Sequence, residues 1–207
     1  IDLKEENISL RVLQGRLESF GKEQVRFALE IFREAAKTSG KESILVSPLS
    51  VSLALSMTAN GADGNTLSEM LNLLCGDFDL ERLNSENEYY LYLLASESNS
   101  NLNIANSIWI RNDGSINVDQ KFVDAVNEIY SAEVFEKAFD TQTVSDINDW
   151  VDENTNGMIK KIIEEISDTT VMYLINALSF EADWKNIYYE DDIRKGKFYS
   201  ANGETRD

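Results

Sequence analysis

Histidine is absent from the 207 residues, and cysteine and proline occur once each, as Cys75 and Pro48. Without an imidazole there is no Ser-His-Asp or Cys-His catalysis, no histidine metal site and no imidazole acid–base chemistry. A lone cysteine rules out an intrachain disulfide and a thiolate zinc cluster. Bases are scarce too: 19 Lys and Arg stand against 37 Asp and Glu, a formal charge of −18. That balance argues against a nucleic-acid-binding surface, which needs clustered Lys and Arg, and against attraction to anionic membranes. The charge favours solubility and self-repulsion and names no partner. No apolar run approaches the length of a membrane span. A chain starting at Ile1 is expected to be trimmed or processed, with any signal peptide already removed.

What is present is the material of a core. Apolar residues make up 43% of the chain, with three Trp, nine Phe and eight Tyr, enough for one large domain or two small ones. There is no repeat and no linker rich in Pro or Gly. Spacing predicts a helix over residues 23–37, with Val25, Ala28, Leu29, Phe32 and Ala36 on one face. Ser47-Pro48 reads as an N-cap followed by proline in the first helical turn, and Gly61 ends that helix. Thr66-Leu67-Ser68-Glu69 has the spacing of a capping box opening the next helix.

Further helices are predicted over 80–97, 119–130 and 144–154, and strands over 102–110 and 133–138. "TTVMYLINALSF", residues 169–180, is apolar on both faces, as in a central strand covered on both sides. This order of elements predicts an α+β domain.

Within the apolar stretch "ILVSPLSVSLALSMTANGADGNT", residues 44–66, Ser47, Ser50, Ser52 and Ser56 need partners. Capping explains Ser47, and mid-helix hydroxyls can bond back to a carbonyl one turn earlier. A sharper expectation pairs Ser50 with Asn176, the one conspicuous polar interruption of the apolar strand. Such a polar cluster contributes specificity, or a switch, rather than stability.

Other patterns take plainer readings. Cys75 in "MLNLLCGDF" is a small core residue near a helix end. Glu164-Glu165 and Asp191-Asp192 sit on solvated polar stretches. "NDGSINVD", residues 112–119, lacks the frame and closing Glu of a calcium loop. Gly61 and Gly64 form a turn, since no Lys follows them to hold a phosphate. Asn7-Ile8-Ser9 is a single glycosylation sequon. No metal, cofactor or catalytic residue is expected, and the chain is not expected to be an enzyme.

Several long motifs in order resemble the serpin family. "ILVSPLSVSLALSMTANGADGNTLSEML" is similar to that family's second and third helices, and "LNIANSIWI" to the strand that follows. "INDWVDENTNGMIKKII", residues 147–163, resembles the helix lying across the large sheet. "VMYLINALSFEADW", residues 171–184, resembles a central strand. The departures are small: Ala182 where glycine is common, and no threonine in "YYEDDIRKGKF".

The resemblance implies helices packed on a large mixed sheet with smaller sheets, residues 1–207 being a single, incomplete serpin domain. It implies that Ser47, Ser50 and Asn176 belong to the polar shutter and Trp184 to the breach at the top of the sheet. The implied function is suicide inhibition of a serine or cysteine protease, with a non-inhibitory carrier, chaperone or interaction protein as the alternative. A hydrolase would need a base that the chain lacks.

The implied reactive loop and scissile bond, and the shutter histidine, would lie in a C-terminal segment, which would also complete the sheets. Residues 1–207 alone are therefore not expected to form a stable monomer. The implied location is extracellular or at the cell surface. Heparin-type binding is not expected of residues 79–97, where Arg82 is the only base beside Asp79, Glu81, Glu86, Glu88 and Glu97.

Overall fold

The computed structural model describes residues 10–39, 43–96, 101–186, 189–200 and 203–206. Asn7-Ile8-Ser9 and Glu97 lie outside them. Among the described residues six α-helices run α1 Leu10–Ser39, α2 Pro48–Ala59, α3 Gly64–Cys75, α4 Leu80–Ser96, α5 Gln120–Tyr130 and α6 Thr141–Asn154. The strands are β1 Asn101–Arg111, β2 Glu133–Lys137, β3 Met172–Glu181 and the short β4 Phe198–Tyr199 and β5 Thr205–Arg206. The main sheet has the order β2-β1-β3, with β1 parallel to β2 and antiparallel to β3. β4 and β5 form a separate antiparallel pair.

Alternation along the strands divides the side chains between two layers. Ile108, Ile110, Met172 and Leu174 face Leu53 and Met57 of α2 and Phe122, Val126 and Tyr130 of α5. Trp109, Tyr173, Ile175 and Ala177 face Ile147, Trp150 and Val151 of α6. Trp109 stacks on its cross-strand partner Phe135 at 4.2 Å between ring centroids. Phe20, Phe27, Leu74, Cys75 and Leu83 make a third cluster among α1, α3 and α4. The α6 layer is also tied down by polar contacts. Lys137 Nζ reaches Asp146 Oδ2 at 2.7 Å, Trp150 Nε1 donates to Glu133 Oε1 at 2.8 Å, and Asn103 Nδ2 reaches the Asn154 carbonyl.

Two expectations need correction. α1 starts at Leu10 and turns Phe20 and Phe27 inward, while Val25, Leu29 and Phe32 remain exposed. The packing against α2 and α3 uses the neighbouring stripe. α3 begins one turn earlier than the Thr66 pattern, because Asp63 caps it by accepting the Gly64 amide at 2.7 Å. β3 is apolar and covered on both faces as read, by α2 and α5 on one side and α6 on the other, and among the described residues it is hydrogen-bonded to β1 alone.

Cys75 is buried, and its Sγ donates to the carbonyl of Leu71 at 3.3 Å. Burial, aided by the charges of Glu23 and Asp79, pushes its thiol up to about 11. We therefore expect iodoacetamide at pH 8 to leave folded Cys75 unmodified and to alkylate it fully in urea, as mass spectrometry will read. Rapid alkylation of the folded protein would contradict its place in the core.

Candidate functional site

Polar side chains are threaded along α2, the helix that packs against β3. Ser47 caps α2: its Oγ accepts the Ser50 amide at 3.4 Å and lies 2.9 Å from the Ser50 hydroxyl. Pro48 takes the first helical position, where its missing amide hydrogen costs nothing. α2 packs against β3, and small side chains along the helix permit the close approach.

The Ser50–Asn176 pair expected from the sequence is not the one made. Ser50 pairs with Ser47, and Asn176 Nδ2 donates to Asn106 Oδ1 at 2.9 Å. Register explains the change, because Asn106 on β1 stands directly opposite Asn176 on β3. The mid-helix serines also depart from simple back-bonding. Ser52 donates to Gln24 Oε1 at 2.8 Å, whereas the buried Ser56 hydroxyl faces the Tyr130 hydroxyl instead of bonding back along its helix.

From Asn176 the polar contacts run inward as a chain. Asn106 Nδ2 donates to the Tyr130 carbonyl at 2.8 Å, and the Tyr130 hydroxyl donates to Asn84 Oδ1 at 2.8 Å. Asn87 Nδ2 donates to that hydroxyl at 3.2 Å, and Asn84 and Asn60 exchange reciprocal amide bonds. Burial pushes the Tyr130 phenol up to about 12, against the hydrogen bonds that favour its ionised form. The chain of groups is thus neutral at physiological pH. It joins the edge strand to α5, α4 and the end of α2 and contains no pair of nucleophile and base.

Asn176 Oδ1 is buried without a hydrogen-bond partner, so an acceptor beneath the edge strand stands available. Buried amides are normally satisfied.

Trp184, beyond the end of β3, is 79% exposed and joins no core cluster. Among the described residues, no group of three or more His, Cys, Asp or Glu is placed to hold a metal. Asn106 and the Tyr130 network escaped the sequence reading. One signal was present, since Asn106 shares strand parity with Ile104, Ile108 and Ile110, all core-facing.

Comparison with known proteins agrees with this geometry. The profile of the Serpin (serine protease inhibitor) family matches residues 22–207. The chain is 32% identical over 181 residues to a serine protease inhibitor of Mus musculus, covering 84% of this chain and 42% of that protein. It is 30% identical over 203 residues to Antithrombin-III of Homo sapiens, covering 92% and 43%. The chain thus spans less than half the length of these relatives. Among solved structures, a loop C-sheet serpin polymer superposes with a TM-score of 0.83 at 41% identity, over 91% of this chain and 50% of that one. The native state of the thermophilic serpin tengpin gives a TM-score of 0.77 at 38% identity, over 98% and 49%. A family match over most of the chain, together with this layered sheet, leads to one conclusion: the chain belongs to the serpin family.

Proposed function

We propose that this chain is the N-terminal part of a suicide inhibitor, which traps a serine or cysteine protease by admitting a cleaved loop as a new strand beside β3. The observation that carries the reading is the run of neutral, exchangeable hydrogen bonds beneath β3, from Asn176 through Asn106 to Tyr130 and Asn84. Where the completed sheet parts beside β3, the exposed edge takes up another strand.

In this reading Ser47, Ser50 and Asn176 form the shutter under the parting strands, and Trp184 marks the breach. The protease supplies the catalytic chemistry, so the inhibitor needs no catalytic histidine and no cofactor, and it is not an enzyme. A C-terminal serpin segment completes the sheets. Val25, Leu29, Phe32 and Leu45 are exposed apolar residues that such a segment would cover. The protein acts outside the cell or at its surface, and no described helix is long and apolar enough to cross a membrane. Heparin-type polyanions are not its activators through α4, where Arg82 is engaged by Phe78 and Glu86.

The test begins with the intact mass and C-terminal peptides of the natural polypeptide, which make the loop hinge legible. The full-length protein is then incubated with a panel of serine and cysteine proteases. We expect a covalent complex that survives denaturing electrophoresis. Cleavage without a complex by every protease would favour the non-inhibitory carrier, chaperone or interaction protein.

A further inference from the structure

Arg111, the last residue of β1, has a side chain only 11% exposed. Its Nε donates to the Thr170 carbonyl at 2.7 Å and its Nη2 to the Ser167 carbonyl at 3.1 Å. Its own amide donates to Val171 O at 2.9 Å. The guanidinium carbon also stands 5.0 Å from the centroid of the Phe139 ring, within cation–π range. Asp113 Oδ2 lies 3.7 Å from Nη1.

These contacts bracket α6. Phe139 lies on the chain entering that helix, and Ser167 to Val171 lie on the chain leaving it for β3. Phe139 has φ +61°, a conformation that costs a non-glycine residue energy and persists only when surroundings fix it. Its amide donates to Thr143 Oγ1 at 3.2 Å, and its ring lies 5.8 Å from that of Tyr173 on β3. Within the layer, Asn148 Oδ1 accepts the amides of Ile162 and Ile163 while its Nδ2 donates to the Ile163 carbonyl. The helix and its return segment therefore hold together as one body.

We propose that Arg111 is a positioning residue that anchors both chain ends of the α6 layer to the sheet, and so sets how readily that layer yields to a strand entering beside β3. The anchor follows from the geometry alone; its effect on strand entry rests on the trapping function proposed above. α6 packs over Ile175 and Ala177 of β3, so a strand joining that edge meets this layer. Only a planar fork can bind two carbonyls while stacking on a ring; a lysine ammonium supplies one point charge.

The test compares full-length Arg111→Ala and Arg111→Lys with Leu83→Ala, a change in the separate α1/α3/α4 cluster that lowers stability without touching α6. We expect Arg111→Ala to speed amide hydrogen exchange at least tenfold over residues 139–143 and 167–171 together, leaving α5 unchanged. Arg111→Lys should behave like Arg111→Ala, and Leu83→Ala should leave both segments protected. Loop insertion after protease cleavage should be at least threefold faster in Arg111→Ala than in Leu83→Ala. Faster exchange over 167–171 alone would reduce Arg111 to a local tie and overturn the anchor. Loosening of both segments with an unchanged insertion rate would overturn its control of strand entry. If the wild type trapped no protease, the inhibitor reading would fail, and the exchange measurements would still decide the anchor.

Discussion

Asn106→Asp is expected to destabilise the protein by about 3–5 kcal/mol at pH 8, the usual cost of an uncompensated buried charge. Asn106 is 3% exposed, and its Nδ2 donates to the Tyr130 carbonyl. A carboxylate there sets an acceptor against an acceptor and loses its hydration. Burial raises the folded-state pKa of the new carboxyl above its unfolded value of about 3.9. The folded state then binds the proton more tightly than the unfolded state does. Relative to wild type, the variant is therefore least impaired below the unfolded pKa, where the protonated acid can donate to Tyr130 O. The deficit grows as pH rises through the folded pKa and persists above it. Urea unfolding of both proteins across this pH range checks the prediction. An equal deficit at every pH would mean that the carboxylate reaches water, and that Asn106 is not the buried link described.

Trp150→Ala is expected to cost about 3–5 kcal/mol through the cavity it leaves. The indole is 7% exposed and packs with Ile147, Val151, Ile175 and Ala177, and its Nε1 donates to Glu133 Oε1. Glu133 is exposed, so its carboxylate regains water and the loss is one of packing. Trp150→Phe keeps most of the apolar area and should retain more than half of the lost stability. The shift in urea midpoint at constant slope measures both changes. A loss below about 1 kcal/mol for alanine would show that α6 contributes little to the core.

Where one residue type in one place has one physical use, the chain was legible. Ser47-Pro48 could open only a helix, Ile147, Trp150 and Val151 mark the inner face of α6, and β3 is apolar on both sides. Where two solutions compete, tertiary packing chose. α1 carries two apolar stripes, and periodicity alone does not say which one α2 and α3 cover. Thr66 has capping-box spacing, yet Asp63 lies nearer the turn and takes the role. The partner of Asn176 depends on strand register, which pairs residue 176 with residue 106 and leaves Ser50 to Ser47. Ser47, Ser50 and Asn176 were legible as polar residues in need of partners, whereas Asn106 and the partners themselves were not.

The claim that β3 accepts a new strand is tested most directly by hydrogen exchange of residues 172–181 in the full-length protein, before and after its reactive loop is cleaved. Where the completed sheet parts beside β3, the amides that point away from β1 are open to exchange with solvent. The account predicts that these outward amides of β3 become at least a hundredfold better protected after cleavage, as a second strand takes them up. Unchanged exchange along β3 in the cleaved protein would contradict it.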